Sequence, residues 1–247
     1  MKPELREFAS DLVPPERDPF WGYGDLALFV GAAVAASLFA VFGLAGAIAL
    51  WPTILGTGAR ILAGQVLASG LFMVALYAVV TWKYRKPFWA SLGWSAPVSN
   101  AVVLIAAGPA LAIGLASLGF ALGLPSQPSQ IEFLITSRAW LLVWMLVGVV
   151  LAPVVEETVF RGFLLPLFAR GVGPWLAIVL TAIPFGLLHG AQNHWAWQPV
   201  VLIALAGAAF GWVRQKTGST ASAFVLHAAY NATEFGLYAL THWATLK

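Results

Sequence analysis

Apolar residues run along this chain in blocks of about 17–25, the length an α-helix needs to cross a hydrocarbon layer of about 30 Å. Seven such blocks stand out, at about 26–48, 61–82, 99–122, 139–168, 174–192, 198–214 and 219–243. Turn residues and breakers separate them, among them Trp51-Pro52, Lys86-Pro87, Leu124-Pro125-Ser126, Gly173-Pro174 and Thr217-Gly218-Ser219. The pattern predicts an all-α, polytopic transmembrane bundle. A single embedded domain is expected over 26–243, with its chemistry within about 139–240. The fourth block, of about 30 residues, is longer than a bilayer requires and is expected to tilt, to break near Pro153, or to extend beyond the membrane. Residues 42–60 leave room for a short eighth helix.

Composition agrees with this pattern. The 247 residues are 60% hydrophobic and 9% charged, far below the quarter typical of soluble domains. The chain has no cysteine, which excludes disulfides, thiolate metal sites and a cysteine nucleophile. A net charge of +3 without a contiguous basic face argues against nucleic-acid binding. Residues 1–25 mix acidic and basic side chains and lack the apolar core of a signal peptide, so a cytoplasmic or interfacial segment is expected.

Charge also orients the spans. Seven crossings put Lys2, Arg6, Arg17, Lys83, Arg85, Lys86, Arg161, Arg170, Arg214 and Lys216 on one side, and Arg60, Arg138 and Lys247 on the other. The positive-inside rule then sets the N-terminus in the cytoplasm, as for a bacterial inner-membrane protein. Trp21, Trp82, Trp140, Trp175 and Trp197 fall near span ends, where an aromatic belt would place them.

Against this background the neighbours Glu156 and Glu157 stand out. Beyond Asp25 the chain has only four acids, Glu132, Glu156, Glu157 and Glu234, and two of them adjoin in an apolar helix. A carboxylate at the centre of a spanning helix costs roughly 2.5–3.5 kcal/mol on insertion scales and needs a partner. Glu157 and Arg161 are spaced i, i+4 and share a face, so they can pair. Glu156 is rotated from Glu157 by about 100° and points elsewhere.

Two further helices carry polar groups. His189 closes the fifth block, with Phe185 one turn earlier. His227 and Asn231 share a face of the last block, and Glu234 continues that stripe. A carboxylate and an imidazole converging on one water form a general-base pair. A second imidazole and an amide can donate to an oxyanion. Glu156, His189 and His227 could instead bind a divalent zinc ion with one position open. The residues commit to no cofactor. His-Glu-xx-His is absent, Gly22-Tyr23-Gly24-Asp25 has no second aspartate to work with, and Gly218-Ser219-Thr220-Ala221 departs from a rhomboid serine motif. No internal repeat of the kind many transporters carry is evident.

Taken in order, Glu156-Glu157-xxx-Arg161, Phe185-xxx-His189 and His227-xxx-Asn231 resemble the signature of the CAAX-processing and bacteriocin-processing (CPBP, or Abi) intramembrane proteases. That family includes the type II CAAX prenyl endopeptidases. Phe160-Arg161-Gly162-Phe163 and the Lys216-Thr217-Gly218-Ser219 turn add to the likeness, which spans about 145–235. The resemblance implies an intramembrane endopeptidase in which Glu156 activates water with His189, while His227 and Asn231 stabilise the oxyanion. Glu157, Arg161 and Phe185 would support the site. The implied partners are the bilayer and a membrane-associated, optionally lipidated, protein or peptide substrate. A catalytically silent scaffold or immunity-type relative and a proton-coupled transporter are the alternative functions.

Depth is in tension with this convergence. By helical rise, Glu156 lies about 27 Å from the outer end of its span. His189 and His227 lie about 22 Å and about 12 Å from the cytoplasmic ends of theirs. Straight helices of these lengths would set His189 too far outward. Convergence therefore requires tilt, a bend at Pro153 or Pro184, or longer spans.

Overall fold

The computed structural model describes residues 18–50, 56–123 and 128–247. The segment before residue 18 and the breakers Trp51-Pro52 and Leu124-Pro125-Ser126 lie outside them. Among the described residues there are helices and no strand. Seven helices match the seven apolar blocks. We number all helices in chain order: α1 (Tyr23–Leu50), α2 (Thr57–Lys83), the short α3 (Phe88–Ser91), α4 (Ala101–Ala121), the short α5 (Gln130–Leu134), α6 (Arg138–Val172), α7 (Pro174–Leu188), α8 (Trp197–Thr217) and α9 (Thr220–His242).

Five of these, α1, α2, α4, α6 and α8, are long and apolar enough to cross a membrane. At 15 residues α7 is shorter than a full span, because its helix ends at His189. The 23 residues of α9 are long enough, but its polar stripe lowers the mean hydropathy. Helix α1 continues to Leu50 and α2 begins at Thr57, which leaves the 42–60 region without room for an eighth spanning helix.

Small residues set the helix spacing around the centre. Helix α4 packs along α9, and α7 along α8. At Gly108 a Cβ would come within 2.4 Å of the Ala229 Cβ and 2.7 Å of the Tyr230 nitrogen, so only glycine lets α4 lie this close to α9. At Gly186 a Cβ would meet the Val200 carbonyl at 2.5 Å. The sequence carries two small-xxx-small pairs, Gly186/Gly190 and Gly207/Gly211, of which Gly186 and Gly207 serve helix contacts. Gly190 faces Trp195 in its own loop, and Gly211 makes only ordinary contact with Ile178.

One end of the bundle is tied by polar groups. Asp25 accepts from Lys83 Nζ, from the Tyr84 hydroxyl at 2.6 Å and from Gly22 N–H at 2.9 Å. Arg170 donates to the Pro19 carbonyl, and the buried Trp21 indole donates to the Phe163 carbonyl at 3.1 Å while stacking on its ring. The loop after α3 docks on the start of α9, where Thr220 donates to Leu92 O and Ser219 to Ala96 O.

The helix lengths also remove the depth conflict. Helix α6 runs on to Val172, four residues beyond the expected limit. Measured from the Gly173 turn, Glu156 and His189 are each about 25 Å along their helices and so meet side by side in an antiparallel hairpin. His227 is about 13 Å from the Gly218 turn, so the α6–α7 hairpin projects about 12 Å further than the α8–α9 hairpin.

Candidate active site

The glutamates sit on a short α-helical stretch, Ala152–Glu157, between two π-helical segments, Val147–Leu151 and Thr158–Leu164. The first follows from Pro153. In the widened register Ala152 N–H bonds to Val147 O, which takes it away from Gly148 O. The next nitrogen, on Pro153, has no hydrogen to give. Gly148 O is thus left without a helical donor, and Asn231 Nδ2 donates to it at 2.7 Å. Such π-turns within α-helices frequently accompany functional sites.

Glu157 and Arg161 are fully buried. Arg161 Nη1 donates to Glu157 Oε1 at 2.9 Å, as the i, i+4 spacing predicts, and Nη2 donates to Gly207 O at 2.6 Å. That carbonyl is within reach because residue 207 has no Cβ, which would stand 3.2 Å from Nη2. The guanidinium also lies 4.6 Å from the centre of the Phe185 ring and 5.3 Å from that of Phe210. Glu157 Oε1 has a second partner that sequence spacing does not reveal: His227 Nδ1, at 2.8 Å. Phe210 stacks on that imidazole at 4.3 Å. Glu157 thereby links Arg161 to His227 and fixes which nitrogen of His227 faces the cavity.

Glu156 points the other way, toward two imidazoles. Its carboxylate oxygens lie 3.8 Å from His189 Nε2 and 3.7 Å from His227 Nε2. Its side chain is a quarter exposed, so water and substrate can reach it. His189 Nδ1 lies 2.7 Å from the Phe185 carbonyl, which can only accept, so Nδ1 carries a proton and Nε2 is the nitrogen turned to Glu156. Asn193 Nδ2 donates to His189 O at 2.9 Å and holds the end of α7. Separations of 3.7–3.8 Å are too long for direct hydrogen bonds, which leaves the carboxylate free to bind a water from the cavity beside the two imidazole edges.

Glu156, His189, His227, Asn231 and Phe185 all line one cavity of about 430 Å³. Phe185 forms its inner wall, with its ring 4.8 Å from His189 and 5.8 Å from His227. Glu157 and Arg161 lie behind that wall. The cavity extends past Glu234, and past Glu132 and Gln192, to the end of the bundle where α6 begins and α9 ends. Glu132 escaped the sequence reading as a site residue, although it is one of only four acids beyond Asp25.

Each histidine has Nδ1 engaged by an acceptor and Nε2 toward Glu156, an orientation common among metal-binding histidines. Among the described residues, however, no three His, Asp or Glu side chains are grouped closely enough to hold an ion. The orientation fits a metal and the spacing does not.

Residues 138–233 match the family model of type II CAAX prenyl endopeptidases, Rce1-like. No curated protein and no solved structure matches the chain. The matched segment runs from the first residue of α6 through Glu156, His189, His227 and Asn231. Over residues 138–233 this integral membrane protein is thus similar to the Rce1-like type II CAAX prenyl endopeptidases, in agreement with the motifs its sequence carries.

Proposed function

We propose that the chain is an intramembrane endopeptidase that hydrolyses a peptide bond of a membrane-associated protein or peptide, with Glu156 as the base that activates water. The observation that carries this reading is the bracketing of a reachable carboxylate by two imidazole Nε2 atoms, each oriented through its other nitrogen. Water held between Glu156 and His189 transfers a proton to Glu156 as its oxygen attacks the scissile carbonyl carbon. The carbonyl oxygen becomes an oxyanion facing His227 and Asn231. Because Nδ1 of His227 donates to Glu157, donation from Nε2 requires an imidazolium, whose charge lies against the Glu157 carboxylate. Asn231 has one N–H on Gly148 O and one left for the oxyanion. Collapse of the intermediate breaks the C–N bond, and Glu156 returns its proton to the leaving amine.

The reading is tested in proteoliposomes with a membrane-anchored peptide substrate captured on Glu156→Gln protein. Cleavage by wild type and none by Glu156→Gln or His189→Ala supports it. Transport of a solute without proteolysis, or a cellular phenotype that survives loss of Glu156, His189 and His227 together, would replace it with the transporter or the scaffold.

The orientation of the histidines favours one second reading, a divalent zinc ion held by Glu156, His189 and His227 that would polarise the attacked carbonyl or its water. Activity is expected to persist after chelation, with bound metal well below one per chain. Stoichiometric zinc and chelator-sensitive activity restored by zinc would favour the metal.

A further inference from the structure

We propose that the peptide cut at this site carries a lysine or arginine close to the scissile bond, and that Glu234 binds that side chain; the proposal rests on the hydrolytic reading above. The cavity wall contains the carboxylates of Glu132, Glu156 and Glu234, and among its described residues no lysine or arginine. A concave wall of this kind attracts a cation, because low-dielectric walls focus the field of like charges. Glu132 already accepts Ser129 N–H at 2.9 Å in the capping box of α5. Glu234 is exposed at the cavity, one turn beyond Tyr230, with which it interacts.

A second observation points to a peptide as the bearer of the cation. Trp144 forms part of the same wall and is 2% exposed, yet its indole N–H has no acceptor. Buried donors are rarely left unpaired, and a substrate main-chain carbonyl is an acceptor of matching chemistry. Glu234 lies two helical turns beyond His227 on the same face of α9, about 10 Å away. An extended peptide advances about 3.3 Å per residue, which places the basic residue about three positions from the bond cut.

The experiment uses N-acylated decapeptides that are identical except for Lys, Gln or Glu at one position. Their binding is measured on full-length Glu156→Gln protein in nanodiscs, and their cleavage by wild type. Binding of the best Lys peptide about tenfold or more tighter than its Gln counterpart, with the Glu peptide weakest, is expected. Adding Glu234→Gln should erase the difference while thermal unfolding of the protein is unchanged. Equal binding of Lys and Gln peptides, a preference that survives Glu234→Gln, or no binding at millimolar concentration overturns the proposal. Tight, Glu234-dependent binding without wild-type cleavage would leave recognition standing and remove hydrolysis. Cleavage of Gln and Lys peptides at equal rates would do the reverse.

Discussion

Glu156 and Glu157 differ in everything except residue type. Glu157 is sealed between Arg161 and His227, while Glu156 faces a cavity between two imidazole edges. Their substitutions should therefore fail differently. Removing one partner of a buried ion pair leaves an uncompensated charge, at a cost of about 3–5 kcal/mol. Arg161→Ala is expected to lower the Tm in detergent sharply and reduce the yield of folded protein, whereas Glu156→Gln should leave the Tm within a degree or two. A fold that tolerates Arg161→Ala would contradict the bracing role. Asn231→Ala should keep the fold and lower kcat by about 10²–10³, the effect typical of losing one oxyanion donor. A change confined to KM would place Asn231 in binding instead. Much of this was legible in the sequence, because i, i+4 spacing separates the two acids. The Glu157–His227 contact was not, since it joins residues 70 positions apart on different helices.

Among the elements, α6 carries the most information. Its π-helical segment ahead of Pro153 releases Gly148 O to hold Asn231. Pro153→Ala would restore an N–H donor there and let it compete with Asn231 for that carbonyl. The expected outcome is a folded protein with kcat lowered about tenfold, the scale of one hydrogen bond. Unchanged kcat would show that the proline has no part in orienting Asn231. The existence of all seven long helices could be read from apolar block lengths, and α6 was correctly expected to exceed a bilayer. Its π-turns could not be read, because apolar runs carry no periodic signal for a one-residue change of register. The tension in depth resolves through a longer span, one of the three ways the sequence left open. Ending the fourth block at residue 168 hid the equal distances of Glu156 and His189 from the Gly173 turn. Arg161 was also assigned to a cytoplasmic end on charge alone, and burial beside Glu157 removes it from that tally.

At the scale of the whole molecule, the cavity opens at the end opposite Lys83, Arg85, Lys86, Arg170, Arg214 and Lys216. If those residues face the cytoplasm, as the charge bias proposes, substrate approaches from the outer half of the bilayer. The natural absence of cysteine makes this testable with single substitutions. In intact cells, Thr136→Cys is expected to react with a membrane-impermeant maleimide, and Lys216→Cys only after lysis. The opposite labelling pattern would reverse the orientation and leave the site geometry untouched.

The central claim, that Glu156 activates the attacking water, is tested most directly by turnover. Wild type and Glu156→Gln, matched for Tm and reconstituted in the same lipid, are given one membrane-anchored peptide that both bind. Loss of the general base predicts binding within a few-fold of wild type and a kcat lower by about 10²–10⁴. A kcat for Glu156→Gln within a few-fold of wild type would contradict it.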